Sequence, residues 1–115
     1  LPQRLVFVTL GQQTPHVVAS LQPVSTVVEE EGVSAIISVE SAEAHQLSPG
    51  PVMRQITLEV YSSLEAVGLT AAIANELASW GISANVVAGY HHDHVFVPED
   101  RAEEALARLR ALSVR

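Results

Sequence analysis

Residues 56–112 read ITLEVYSSLEAVGLTAAIANELASWGISANVVAGYHHDHVFVPEDRAEEALARLRAL, and the order of patterns in this stretch decides the fold. Ile56, Leu58 and Val60 alternate with Thr57, Glu59 and Tyr61, the period of a strand with one face on a core and one in water. Ser62, followed three residues later by Glu65, is a capping-box pattern that opens a helix. Along that helix Ala66, Leu69, Ile73, Leu77 and Trp80 recur at three- and four-residue steps, one apolar stripe to lay on a sheet. Gly81 ends the helix where left-handed backbone is wanted, and Ile82–Ala88 begins another strand. Gly89–Asp93 reads as a turn and His94–Val97 as the returning, half-buried strand. Pro98, Glu99 and Asp100 suit the positive end of a last helix. That helix gathers Ala102, Ala105, Leu106, Leu109 and Leu112 on one face, with Glu104 and Arg108 a solvated pair four apart. Strand, helix, strand, hairpin, strand and helix form the split βαβ unit of a ferredoxin-like sheet, still short of its closing strand.

Working outward, Arg4–Leu10 (RLVFVTL) shows little polar alternation, which predicts a strand covered on both faces and interior to a sheet. GQQTPHVVASLQP is bounded by glycine and prolines and reads as a loop with one turn of helix at most. Val24–Glu30 and Val33–Val39 form a hairpin through Glu31 and Gly32, and a short helix covers Ser41–Leu47. Ser48–Pro51 (SPGP) cannot continue a helix and marks the internal boundary. IISVESAEAHQL in the first half echoes VFVPEDRAEEAL in the second, which predicts a duplication whose first helix is shortened. The expected organisation is an incomplete repeat over 1–51 and a fuller one over 52–115, α+β, with an antiparallel sheet and helices on one face.

The 115 residues suit one compact body, and 48% of them are hydrophobic while only 4% are aromatic, so Val, Leu, Ile and Ala must build the core. A net charge of -7 with six scattered basic residues opposes binding to nucleic acid. The lack of cysteine excludes disulfides, thiolate ligands and a Cys nucleophile. No apolar run reaches the ~20 residues of a membrane span, no signal-peptide pattern opens the chain, and the cytoplasm is the default location.

The segment EVYSSLEAVGLTAAIANELASWGISANVVAGYHHDHVFVPEDRAEEAL resembles small bacterial proteins with two ACT-like repeats, and more distantly the ACT modules of aspartokinases and of arginine sensors. Its most specific stretches are SSLEAVGLTA and VVAGYHHDHVFVP. The first half fits more loosely, through RLVFVTL and the hairpin before VESAEAHQL. The resemblance implies a ferredoxin-like βαββαβ fold in each repeat. It implies a regulatory or binding module without activity or cofactor of its own, in which an amino acid lodges between the first strand's loop and a neighbouring module. Its short helical leader has no counterpart here, so residues ahead of Leu1 are expected to be missing.

In that reading Asp93 receives the cationic end of an amino acid through charge-assisted hydrogen bonds, or else closes an Asx turn on its own backbone. Free amides at the helix start, near Ser63 and from Val67 to Leu69, are suited to a carboxylate, and Gly68 permits close approach. Glu65 is a second candidate for the cation. The alternative is that Ser62 and Glu65 only cap the helix and Gly68 relieves a packing contact. Asn85 is polar within a strand, for a ligand or for water.

His91, His92 and His94 raise a divalent metal site as a rival, with Glu65 or His45 to complete it. Alternation splits them between two faces, however, and the polar hairpin corner is the favoured reading. Ser62 or Ser63 with a histidine and Asp93 has the residue types of a triad but no GxSxG elbow, so no enzyme is expected. A half-complete repeat leaves a sheet edge or an apolar helix face exposed, which predicts a homo-oligomer. A purely structural dimerisation module is the remaining alternative.

Overall fold

The computed structural model describes residues 3–11, 15–48, 50–58 and 66–113. The chain forms two compact units, Pro2–Val52 and Met53–Arg115.

The first unit comprises β1 (Arg4–Gly11), α1 (Pro15–Ser20), β2 (Ser25–Glu29), β3 (Gly32–Ser38) and α2 (Val39–Ala44). β3 lies between β2 and β1 and is antiparallel to both. Val6, Val8 and Leu10 from β1 pack with Ala35 and Ile37 from β3, and Leu21 and Ala42 from the helical layer close this core. β1 is covered on both faces only at its start, where Leu5 and Val6 are both buried; farther along, Thr9 is exposed and Phe7 is 39% exposed, while Val8 and Leu10 face the helices.

The hairpin turns at Glu30 and Glu31, and Gly32 is already the first residue of β3, paired with Glu29. Its φ of 130° belongs to glycine, and a side chain there would run into the Gly11 carbonyl. α2 starts at Val39, ahead of the expected Ser41, because the Ser38 hydroxyl accepts from the Ser41 amide at 3.0 Å. It ends at Ala44 with Gln46 left-handed, φ 56°; the amides of Gln46 and Leu47 donate to the carbonyls of Glu43 and Ala42.

The second unit repeats the order with β4 (Met53–Leu58), α3 (Ala66–Ser79), β5 (Asn85–Ala88), β6 (Asp93–Pro98), a 3-10 turn (Glu99–Arg101) and α4 (Ala102–Ser113). β6 lies between β5 and β4, antiparallel to both, as β3 lies between β2 and β1. Ile73 and Leu77 of α3 and Ala102, Ala105 and Leu109 of α4 pack with Ile56, Val95 and Val97. Both helices thus cover one face of these strands. β6 is more than half-buried: Val95, Phe96 and Val97 are all within 1% of full burial, so this strand, expected to have one wet face, is covered on both sides there, as β3 is at Ala35–Ile37. The expected capping box of Ser62 and Glu65 lies outside the described residues.

α3 closes as α2 does, with Gly81 at φ 68° and the amides of Gly81 and Ile82 donating to Ala78 and Leu77. Trp80, expected in the buried stripe, is 44% exposed. It stands past the last helical residue, where the turn has tightened and its amide donates to the Leu77 carbonyl at 3.1 Å. The Arg108 guanidinium lies over its ring, 3.4 Å from the centroid. Arg101 donates to the Trp80 carbonyl at 2.9 Å and to Glu104 at 3.0 Å, so Glu104 bonds Arg101 and not Arg108.

The Arg101 hydrogen bond holds the Glu104 carboxyl below its usual 4.5. A lowered carboxyl contributes stability above that value and loses it as acid protonates the group. Solvent screens the pair, so Glu104→Gln should lower the melting temperature slightly at pH 7, and the difference should shrink as acid protonates the wild-type carboxyl, read by calorimetry along a falling pH series.

Candidate functional site

The hairpin between β5 and β6 is a four-residue loop, Gly89–His92, closed by the Gly89 amide donating to the His92 carbonyl at 2.8 Å. A Cβ on Gly89 would stand 2.8 Å from that carbonyl oxygen and 3.2 Å from His94 Nε2, so the corner needs glycine for space. Tyr90, 98% exposed, meets the His91 ring edge to face at 4.9 Å. Asp93 is not a turn residue: it opens β6, paired with Leu58 at the end of β4 and Ala88 at the end of β5.

Register then fixes the faces. Asp93 alternates with Val95 and Val97 and so belongs to the face that α3 and α4 cover, half-buried, beside Leu58, which packs against the same core. β4 finishes at this end of the sheet, and its chain goes from here to the start of α3. Gly68, in the first turn of α3, is exposed, and no described atom lies within 4 Å of where its Cβ would be. The packing explanation for this glycine thus finds no partner among the described residues. Ser62, Ser63 and Glu65, and the side chains of Val67 and Leu69, lie outside them.

Asn85 stands elsewhere. It pairs with Phe96, three positions from Asp93 along β6, on the face away from the helices. Odd and even positions of one strand face opposite ways, so Asn85 and Asp93 lie on opposite faces of the strands. On Asn85's face the register brings together a group that the sequence does not announce. Gln55 Nε2 donates to His94 Nδ1 at 2.9 Å, Thr57 Oγ1 is 3.1 Å from the same nitrogen, and Gln55 Nε2 lies 3.3 Å from Thr57 Oγ1. The alternation of Gln55 and Thr57 with Ile56 and Leu58 was the available signal, but their meeting with His94 depends on the β4–β6 register.

His94 is therefore held in the sheet, while His91 and His92 are exposed, with ring centroids 6.4 Å apart and His92 to His94 at 6.5 Å. Among the described residues no three His, Asp or Glu side chains gather as a set of metal ligands. No helix among them is long and apolar enough to cross a membrane.

Two βαββα halves, each with its last strand in the middle and helices on one face, define a tandem ferredoxin-like architecture. One ACT domain family model matches residues 52–111 and a second matches residues 1–54, and the chain belongs to the ACT domain family. It is similar to a protein of unknown function from Vibrio cholerae, described as a possible transport protein. The two are 42% identical, the match covers 96% of this chain and 84% of that one, and the TM-score is 0.89. The regulatory subunit of aspartate kinase from Thermus flavus shares the fold at 12% identity, over 95% of this chain and 91% of that one, with a TM-score of 0.61. Aspartokinase alpha and beta subunits share it at 15% identity, covering 95% and 90%, with a TM-score of 0.64. No curated protein matches the chain. ACT domains are regulatory modules that bind small ligands such as amino acids, and they often oligomerise.

Proposed function

We propose that the protein is a non-catalytic regulatory module of two ACT-like repeats, 1–51 and 52–115, which assembles with its own kind and binds an amino acid or a related metabolite. The ligand lodges in the second repeat, at the end of the sheet where β4 gives way to α3. The observation that carries this reading is the placement of Asp93. A half-buried carboxylate opens β6 on the helix-covered face, beside Leu58, the last residue of β4 before the chain goes on to α3. A zwitterion needs both an acceptor for its ammonium and donors for its carboxylate, and Asp93 and the start of α3 have that polarity. Asp93 receives the cationic group, with Glu65 as its second partner. Ser62, Ser63 and the backbone from Val67 to Leu69 take the carboxylate, with Gly68 leaving room for approach. Asn85 is left out of the site by its face.

Gly68 separates ligand binding from stability. Glycine inside a helix costs roughly 0.5–1 kcal/mol relative to alanine, so Gly68→Ala should raise the melting temperature of the free protein. The same methyl group would obstruct the close approach of a carboxylate and reduce the thermal shift that an amino acid produces. Screening the twenty amino acids by thermal shift on wild type and Gly68→Ala tests both. If no amino acid at millimolar concentration shifts the wild type, the binding reading fails and the purely structural module takes its place.

A further inference from the structure

We propose that His91, His92 and His94, which surround Asp93 in the chain, make amino-acid binding at that carboxylate pH-sensitive, stronger above neutrality and weakened in acid. This rests on the binding reading above and adds its regulation. Imidazole is the side chain that ordinarily changes charge between about pH 5 and 8. Three of the chain's five histidines stand within two residues of the carboxylate assigned to the ammonium.

His91 and His92 are exposed in the hairpin loop, and Asp93 and His94 are half-buried where β6 begins. The His92 ring centroid lies 6.4 Å from that of His91 and 6.5 Å from that of His94, so the rings follow one another round the corner at which Asp93 stands. Consecutive Cα atoms are about 3.8 Å apart, which puts three imidazolium charges within about one Debye length, 8–10 Å, of the carboxylate. An ammonium held there then meets three like charges, a cost that the neutral rings do not impose. The amino acid's own carboxylate goes to α3 rather than to the hairpin, so it offsets that repulsion only in part.

His94 adds a mechanical link. Its Nδ1 accepts from Gln55 Nε2 at 2.9 Å and lies 3.1 Å from Thr57 Oγ1, an arrangement that suits the neutral ring with its hydrogen on Nε2. A proton on Nδ1 turns this acceptor into a donor facing the Gln55 amide, which must then turn over. The other edge of the ring borders the loop, where a Cβ on Gly89 would stand 3.2 Å from Nε2. His94 thus ties β4 to the start of the loop, and its charging disturbs the strand end that presents Asp93.

The other described groups packed here do not change charge over that range. β4 and β5 place Gln55, Thr57, Asn85 and Val87 on the face of His94, all uncharged, and Tyr90 against His91 is uncharged too. On the face of Asp93, α3 has no acid in its first turn, and its Glu76 accepts from Trp80 at the other end of the helix. α4 starts beyond the far end of β6, where Arg101 bonds Glu104, and returns with Arg110 in its last turn; arginine keeps its charge throughout.

The test titrates amino acids singly into the full chain at about pH 8 and about pH 5, leaving out histidine and cysteine because they titrate in this range themselves. Affinity is read from the thermal shift and folding by circular dichroism. For the amino acid that binds the wild type most strongly, the apparent affinity should fall at least about threefold from the higher pH to the lower. His91→Gln, His92→Gln and His94→Asn together should bind as the wild type does at the higher pH and keep that affinity at the lower, since the asparagine oxygen can accept from Gln55 in place of Nδ1. His91→Gln with His92→Gln, at two exposed positions, should show an intermediate fall. If no amino acid shifts the wild type at either pH, the binding reading itself fails. Equal affinity at both pH values overturns the pH sensitivity alone, and so does a fall that persists undiminished in the triple variant. Should the triple variant not fold, a double variant whose affinity falls as steeply as that of the wild type overturns it.

Discussion

Gly32→Ala is expected to destabilise the protein by roughly 3–5 kcal/mol, the sum of a backbone forced from left-handed space and an overpacked contact. The two costs have separate origins. Gly32 has φ 130°, a region that L side chains rarely adopt, and its Cβ would overlap the backbone carbonyl of Gly11. That neighbour is main chain at the point where the β1–β3 register shifts between Thr9 and Gly11, so it cannot turn aside as a side chain would. Urea unfolding should show a lowered midpoint, and Gly11→Ala offers the comparison. Gly11 has positive φ, 59°, but open space for a Cβ, so its replacement should carry only the strain. Equal losses at the two positions would show that close approach has no part.

Leu77→Ala should cost about 2–5 kcal/mol, the range for emptying a buried leucine site. Leu77 is fully buried, packs with Ile73, Ile82 and the β6 valines, and its carbonyl accepts the Ile82 amide that closes α3. Its loss opens a cavity and loosens the helix exit together. Trp80→Ala, three residues on, removes a larger side chain but a 44% exposed one, and should cost less. Thermal unfolding of the two variants side by side checks this order, and a Trp80 variant less stable than the Leu77 variant would contradict it.

The contrast between these two residues marks where sequence reasoning reaches. Helical periodicity places Ile73 and Leu77 in the core, because three- and four-residue steps fix a face. It also places Trp80 there, since a period contains no information about where a helix stops turning. The split βαβ order was readable from Gly81, Pro98 and the alternating strands. The start of α2 was not, because Ser38 looks like a strand residue until its hydroxyl is seen to accept from Ser41. β1 illustrates a second limit: an apolar run states what a strand tolerates, while the neighbours that cover it are decided by the rest of the chain.

The candidate site divides in the same way. Asp93 reads from the sequence as the last residue of a turn, and only its pairing with Leu58 and Ala88 makes it the first residue of β6; the expected helix start at Ser62 lies outside the described residues. Asn85 seemed an equal candidate by polarity alone. Its face follows from the pairing of Ala88 with Asp93 across a four-residue loop, and a change of one residue in that loop would turn it over. The meeting of Gln55, Thr57 and His94 was hidden for the same reason, since their 37- and 39-residue separations mean nothing until β4 and β6 are in register.

The most direct test of the account is the thermal shift produced by the best-binding amino acid on wild type and on Asp93→Asn. Asparagine keeps the size and removes the charge. At a hundred times its dissociation constant a ligand stabilises a fold by roughly 2.7 kcal/mol, a shift of several degrees in a chain of this size. The account predicts that shift in the wild type and its loss in Asp93→Asn, with the melting temperature of the free variant little changed. An amino acid that stabilises both proteins equally would contradict it, because the ammonium would then be held somewhere other than Asp93.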